Sequence, residues 1–218
     1  MSPVLRAGPV AQARYEALRI LVRVETDRAF ADITLEHALD RAGLEARDAA
    51  LCTEIVYGTL RWQRHLDWRL AVHLHRPMAR LDPWVRAVLR LTAYQILFLD
   101  RVPRWAAVDE AVSLAKLKSR TPGPAEFVNA VLRSLTRAPG APPLPSNPVE
   151  AAGVRWSFPD WIAGRWIARY GRAEVGRVWD GVYRKVLAQG VTPRPVGAYA
   201  RAGGEAAQRQ LHLGYPAK

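Results

Sequence analysis

Apolar residues recur along most of this chain with the period of an α-helix, and turn residues punctuate the pattern. Tyr15, Leu18, Leu21 and Val22 share one side of a helix expected over 11–25. A second helix is expected from Asp32 to Ala42, stopped by Gly43. Ala49, Ala50, Thr53, Ile55, Val56 and Leu60 then make a tightly packed helix. Gly58 inside it is poor for a helix interior and marks a close helix contact or a bend. From Arg61, Trp62, Leu66, Leu70 and Leu74 recur every fourth position. Between about Trp84 and Leu99 the apolar residues cover most of the circumference, as in the central helix of a bundle.

Two further segments complete the core. Val108, Ala111, Val112 and Ala115 line one helix, with Asp109 and Glu110 expected in its first turn and Lys116 and Lys118 in its last, an order that suits the helix dipole. Phe127, Val128, Val131, Leu132 and Leu135 line the next, with Pro124 near its start. The short turn from Ser119 to Gly123 predicts an antiparallel pair. Asn129 and Arg133 lie on the less apolar side and are read as structural, the Asn bonding the backbone of a neighbouring turn. The expected fold class is all-α, a helical bundle.

After Arg137 the texture changes. Residues 138–148 hold five prolines and one glycine and predict a semi-rigid, extended linker at a domain boundary. Ser157 then reads as the N-cap of a helix carrying Trp161, Ile162, Trp166, Ile167 and Tyr170, with Asp160 three residues on. Residues 172–218 are rich in Arg, Gly, Ala, Pro and Gln. Apart from a helix-like stretch from Val178 to Leu187 they predict a disordered tail.

Charge sharpens this picture. The formal net charge is +12, carried mostly by Arg, which points to a polyanionic partner. Residues 61–104 hold nine arginines against Asp67, Asp82 and Asp100. Within them Arg61, Arg64, His65 and Trp68 fall on one helical stripe, a basic face with a ring that can stack on a base. Arg86, Arg90 and Tyr94 share one side of the central helix. They either face RNA, or Arg90 pairs with a core acid such as Glu110.

Other chemistry is thin. His65, His73 and His75 have no acid or cysteine at ligand spacing, so no metal site is expected. The one cysteine, Cys52, excludes a disulfide framework and reads as a buried thiol rather than a nucleophile. No apolar signal core and no membrane-length stretch is present, and cytoplasm is the default location.

The wording of several segments is more specific than their pattern. Leu89-Arg90-Leu91-Thr92-Ala93-Tyr94-Gln95-Ile96-Leu97, Val102-Pro103, Ala107 through Lys116, and Phe127-Val128-Asn129-Ala130-Val131-Leu132-Arg133 resemble, in order, the NusB-like RNA-binding fold. The form they resemble most is the one at the front of bacterial small-subunit rRNA 5-methylcytosine methyltransferases, the RsmB or Sun/Fmu family. Ser157-Phe158-Pro159-Asp160-Trp161 to Tyr170-Gly171 resembles the segment leading to the catalytic half of those enzymes.

The resemblance implies a NusB-like domain over 10–137, a linker over 138–148, the start of the connecting segment over 149–171 and a divergent tail over 172–218. It adds Arg6 and Arg14, from the basic amino-terminal helix, to the RNA-binding candidates Arg61, Arg64, His65, Trp68, Arg86 and Arg90. The family transfers a methyl group from S-adenosylmethionine with a cysteine nucleophile. No Gly-rich cofactor loop and no catalytic cysteine pair occurs here, so this chain is expected to be non-catalytic, without cofactor and truncated before the catalytic domain. The tail has the bias of a high-GC gene read in a shifted frame, as in an interrupted methyltransferase gene; the alternative is a natural divergent basic tail of an RNA binder.

The expected function is binding of RNA, ribosomal RNA first, with a missing methyltransferase domain as natural partner and no membrane. The alternative is a stand-alone NusB-type transcription antitermination factor acting with a ribosomal-protein partner. A purely structural helical module is the third reading.

Overall fold

The computed structural model describes residues 9–118 and 121–188, with side chains over 12–118 and 121–181. Among the described residues there are ten α-helices and no strand. They are α1 (Pro9–Thr26), α2 (Ala31–Ala42), α3 (Ala46–Arg61), α4 (Gln63–Ala71), α5 (Pro83–Phe98), α6 (Arg104–Lys116), α7 (Gly123–Arg137), α8 (Pro148–Trp156), α9 (Asp160–Tyr170) and α10 (Arg172–Ala188). A 3-10 turn, Met78–Arg80, precedes α5.

α5 is the axis of the bundle. Its start is doubly determined: Asp82 accepts from the N–H groups of Trp84 and Val85, and Pro83 occupies the first turn, where a missing N–H costs nothing. Val88, Leu89, Leu91 and Ala93 are fully buried. α1, α3, α4, α6 and α7 all pack on it. The all-round apolar pattern of this segment therefore has the meaning expected of it.

Two glycines act as anticipated. α2 ends at Gly43, whose φ of 58° is the left-handed conformation that closes a helix and favours glycine. At Gly58 a Cβ would lie 2.0 Å from Cζ of Tyr94, so the glycine permits close approach of α3 to α5 and is not a bend. The hydroxyl of Tyr94 donates to Glu54 on the same helix as Gly58.

Several expectations are revised. α6 begins at Arg104, a turn earlier than the pattern suggests, so Asp109 and Glu110 lie mid-helix and do not complement the dipole. Asn129 accepts from the Nε of Arg133 at 2.9 Å, a side-chain pair instead of a bond to backbone. Ser157 closes α8 with a φ of 58°, and α9 starts at Asp160 after Pro159. The disorder expected from 172 does not hold over Arg172–Ala188, because Val175 and Trp179 have an apolar partner surface on α8 and α9 and are buried there. The remainder of that tail, 189–218, lies outside the described residues.

The Pro-rich stretch does not separate independent bodies. One continuous buried cluster runs from α1 through Trp156, Ala163, Val175 and Trp179. Asn147 ends the stretch as the N-cap of α8, accepting from Val149 and Glu150. The carbonyl of Pro139 accepts from Arg69 of α4. Residues 138–147 are thus a strap pinned at Pro139 to α4 and at Asn147 to the start of α8.

Leu132 sits in α7 with no exposed surface. Leu132→Ala is expected to lower unfolding free energy by about 2–5 kcal/mol, the range for a fully buried leucine. Urea unfolding followed by far-UV circular dichroism checks this, and an unchanged midpoint would contradict the core described here.

Candidate nucleic-acid interface

The basic segment 61–104 spans α4 and α5, and most of its predicted contacts bond inward. Arg90 is only 8% exposed. It forms a bidentate pair with Asp67 of α4, 2.7 Å at each oxygen, and a third bond to Glu25 of α1 at 2.9 Å. Burial alone would lower its pKa, but the bonds and charge of Asp67 and Glu25 outweigh burial and raise it. Arg86 shares Glu25 at 2.9 Å and donates to the carbonyls of Met78, Ala79 and Leu81, holding the 3-10 turn. Arg14 is buried, bonded to Glu110 of α6 at 2.9 Å and to Gln95 of α5 at 2.5 Å.

These placements give Arg14, Arg86 and Arg90 partners inside the bundle, and for Arg90 that is the core-acid alternative. A guanidinium taken out of water must find carboxylate or carbonyl partners, and each of these has done so inside the bundle. Glu110, suggested as a partner for Arg90, belongs to Arg14 instead. Arg6 lies outside the described residues.

The stripe on α4 also turns inward in part. Arg64 donates to the carbonyl of Phe158 and to Asp160, both at 2.7 Å. It passes over Gly153, where a Cβ would come within 2.5 Å of its Nη1. Ser157 reaches back: its hydroxyl accepts from the N–H of Arg64 at 3.1 Å and of His65 at 3.4 Å. No side chain at the start of α4 makes that cap, so a residue 93 positions away supplies it. The left-handed strain at Ser157 is offset by these bonds.

His65 stands at 3.0 Å, through Nδ1, from the carbonyl of Val154. A carbonyl only accepts, so Nδ1 carries the proton. Burial lowers its pKa, Arg69 adding to that effect, while the carbonyls of Val154 and Arg155 act in the opposite direction. Its ring packs between Trp62 and Trp68, with centroids 5.3 Å away on each side. Arg64 and His65 are thus docking residues for α8 and α9. Arg61 and the half-buried Trp68 are the members of the stripe that remain at the surface.

Other cations are exposed where the sequence reading placed no site. Arg76 lies 5.4 Å over the ring of Phe127. Arg101 and Arg104 flank Pro103, and Arg133 and Arg137 line the outer face of α7. The available signal was the i, i+4 spacing of Arg133 and Arg137, which the reading of Arg133 as structural passed over. No cluster of His, Cys, Asp or Glu among the described residues has the make-up of a metal site.

Residues 11–137, which cover α1 to α7, match the NusB family. The chain belongs to the NusB family. It is 36% identical over 157 residues to the probable ribosomal RNA small subunit methyltransferase B of Bacillus subtilis (strain 168), covering 71% of this chain and 34% of that protein. It is 35% identical over 124 residues to the transcription antitermination protein NusB of Bacillus licheniformis, covering 56% of this chain and 92% of that one. Among solved structures, NusB of T. maritima superposes with a TM-score of 0.56 at 25% identity, over 61% of this chain and 92% of that chain. The chain spans about a third of the length of the curated methyltransferase relatives it matches. No helix among the described residues is long and apolar enough to cross a membrane.

Two predictions follow from the docked α8 and α9. Arg64→Ala is expected to cost about 1–2 kcal/mol, because it unmakes a charge-assisted bond to a partly buried carbonyl. Asp160→Asn should cost under about 0.5 kcal/mol, since that carboxylate is exposed. Denaturation midpoints and the rate of limited proteolysis in the strap read out both.

The second concerns pH. The folded state holds the pKa of His65 below its ordinary 6.5, so it binds fewer protons than the unfolded chain on acidification. The stability from the neutral ring is therefore complete above 6.5 and is lost as pH falls from there through the lower pKa of the folded state. His73 is shifted the same way by burial and by Arg69. Glu110, raised by burial against the pull of Arg14, acts in the opposite sense. The thermal midpoint should fall from pH 7.5 to 5.5, and fall less in His65→Gln.

Proposed function

We propose that this chain is an RNA-binding unit, acting on ribosomal RNA as the substrate-positioning part of a small-subunit rRNA 5-methylcytosine methyltransferase. The observation that carries the reading is length of match. The relative from Bacillus subtilis aligns over 157 residues, a span that α1 to α7 cannot supply alone, whereas the antitermination relative aligns over 124. A match of that length must run beyond α1 to α7, and the helices that follow them, α8 and α9, are fastened to α4 by Arg64, His65 and Ser157. The net charge of +12 supports a polyanionic partner.

The one cysteine of the chain does not have the surroundings of a methyl-transfer nucleophile. Cys52 is fully buried, and burial, with Glu16 nearby, pushes its thiol up to about 12, so it is no nucleophile at neutral pH.

A second reading, a NusB-type antitermination factor, draws support from the match that covers 92% of the Bacillus licheniformis protein. One experiment addresses both. A small-subunit rRNA fragment and a transcript leader of equal length are titrated against the chain at 50 to 200 mM salt. The first reading expects tighter binding of the rRNA fragment, weakening about tenfold or more across that range if three or four phosphates are contacted. Preference for the leader favours the second reading, and salt-insensitive or absent binding removes both.

A further inference from the structure

At one end of the bundle the first turn of α6 lies beside the last two turns of α7. Between them is a cleft of about 620 Å3, lined by Arg104, Trp105, Asp109, Arg133, Thr136 and Arg137 among others. It is remote in sequence from the stripe on α4, and of its lining residues Val108 belongs to the buried core. Trp105 is 72% exposed. Its indole presents a stacking face in water beside three guanidinium groups, the pairing of ring and positive charge that holds unpaired nucleotides.

The arginines are held and unspent. Nε of Arg133 donates to Asn129 at 2.9 Å, and Nε of Arg137 donates to the carbonyl of Arg133 at 3.3 Å. Thr136 donates to that same carbonyl at 2.8 Å. Among the described residues none of Arg104, Arg133 and Arg137 forms an ion pair. This contrasts with Arg14, Arg64, Arg86 and Arg90, each committed to a carboxylate. Like charges one helical turn apart repel, so a bound anion relieves a repulsion that the fold leaves standing. The first-turn N–H groups of α6 add to the positive potential, because Pro103 offers them no side-chain cap.

Trp105 and Asp109 are four residues apart on α6 and therefore share a face. The carboxylate would oppose a second phosphate. Beside the indole it suits the edge of a nucleobase, where it can accept from an amino group.

We propose that this cleft holds one nucleotide of unpaired RNA. Its phosphate lies against Arg133 and Arg137, with Arg104 alongside, and its base stacks on Trp105 with its polar edge toward Asp109. The RNA is single-stranded there because a base must leave its helical stack to lie on a side chain. The inference rests on the RNA-binding reading above and names where on the bundle an unpaired segment is gripped.

The test uses the whole chain and fluorescein-labelled eight-nucleotide RNA of mixed pyrimidine and purine sequence, single-stranded or as a duplex, read by anisotropy. The small-subunit rRNA fragment is titrated in parallel. Trp105→Ala and the double variant Arg133→Gln/Arg137→Gln are compared with the parent, each first checked for an unchanged thermal midpoint, as expected for exposed side chains. The single strand should bind the parent more tightly than the duplex. Affinity should fall about fivefold or more in Trp105→Ala and by about tenfold in the double variant, whose salt dependence should also be shallower.

If the parent binds the single strand and both variants bind it equally well, the cleft is not the grip, while the RNA reading stands. Loss in the arginine variant with none in Trp105→Ala overturns the stacking, as it would if Trp105 served a protein partner instead. Equal affinity for the duplex also overturns the proposal. Failure of the parent to bind any of the RNAs removes the RNA-binding reading itself.

Discussion

A charged or strongly polar side chain on a helix buried on nearly every side is costly unless a neighbouring helix answers it. That constraint organises this bundle. α5 holds Arg90, Tyr94 and Gln95 among fully buried apolar residues, and each is met from a different direction. Asp67 of α4 and Glu25 of α1 take Arg90, Glu54 of α3 takes Tyr94, and Arg14 of α1 takes Gln95. Arg14 also reaches Glu110, which brings α6 into the same arrangement. Apolar burial supplies most of the driving force for such a fold, but it is non-directional. The polar contacts around α5 select which helix lies where and in what rotation.

The same constraint sorts the positive charge. In 61–104 Arg64, Arg69, Arg86 and Arg90 are drawn into bonds with carboxylates or carbonyls and present little to a partner. A high net charge is therefore an unreliable map of a binding face, since arginine serves buried pairing as readily as phosphate. The exposed arginines of that segment are Arg61, Arg76, Arg80, Arg101 and Arg104, and Arg133 and Arg137 of α7 are exposed as well.

The connection beyond α7 is a second lesson in reciprocity. α4 follows α3 after a single residue, Trp62, and its own sequence provides no cap. Ser157 supplies one from the turn between α8 and α9, and Arg64 and His65 of α4 bind that turn in return. Each element completes the other's unsatisfied backbone groups, so α8 and α9 are seated on the bundle and not tethered beside it. Gly153 is the small residue that lets Arg64 through.

Much of this protein could be read without a structure. The periods of Leu66 and Leu70, of Val128, Val131, Leu132 and Leu135, and of the residues around Leu89 determined the helices and their buried faces, because burial of an apolar stripe depends only on spacing along the chain. Segment order and wording also determined membership of the NusB family, now carried by the match over 11–137. The fate of the charged and capping residues was not legible. Arg90 and Arg133 look alike in sequence, yet one is enclosed by Asp67 and Glu25 and the other lines an open cleft. Ser157 has the local signature of an N-cap for the helix that follows it, and instead caps one 93 residues earlier. Hydrogen bonds and ion pairs act over about 3 Å, so their partners are decided by which helices the tertiary fold brings together. Only the folded chain could say which cations were left for a ligand.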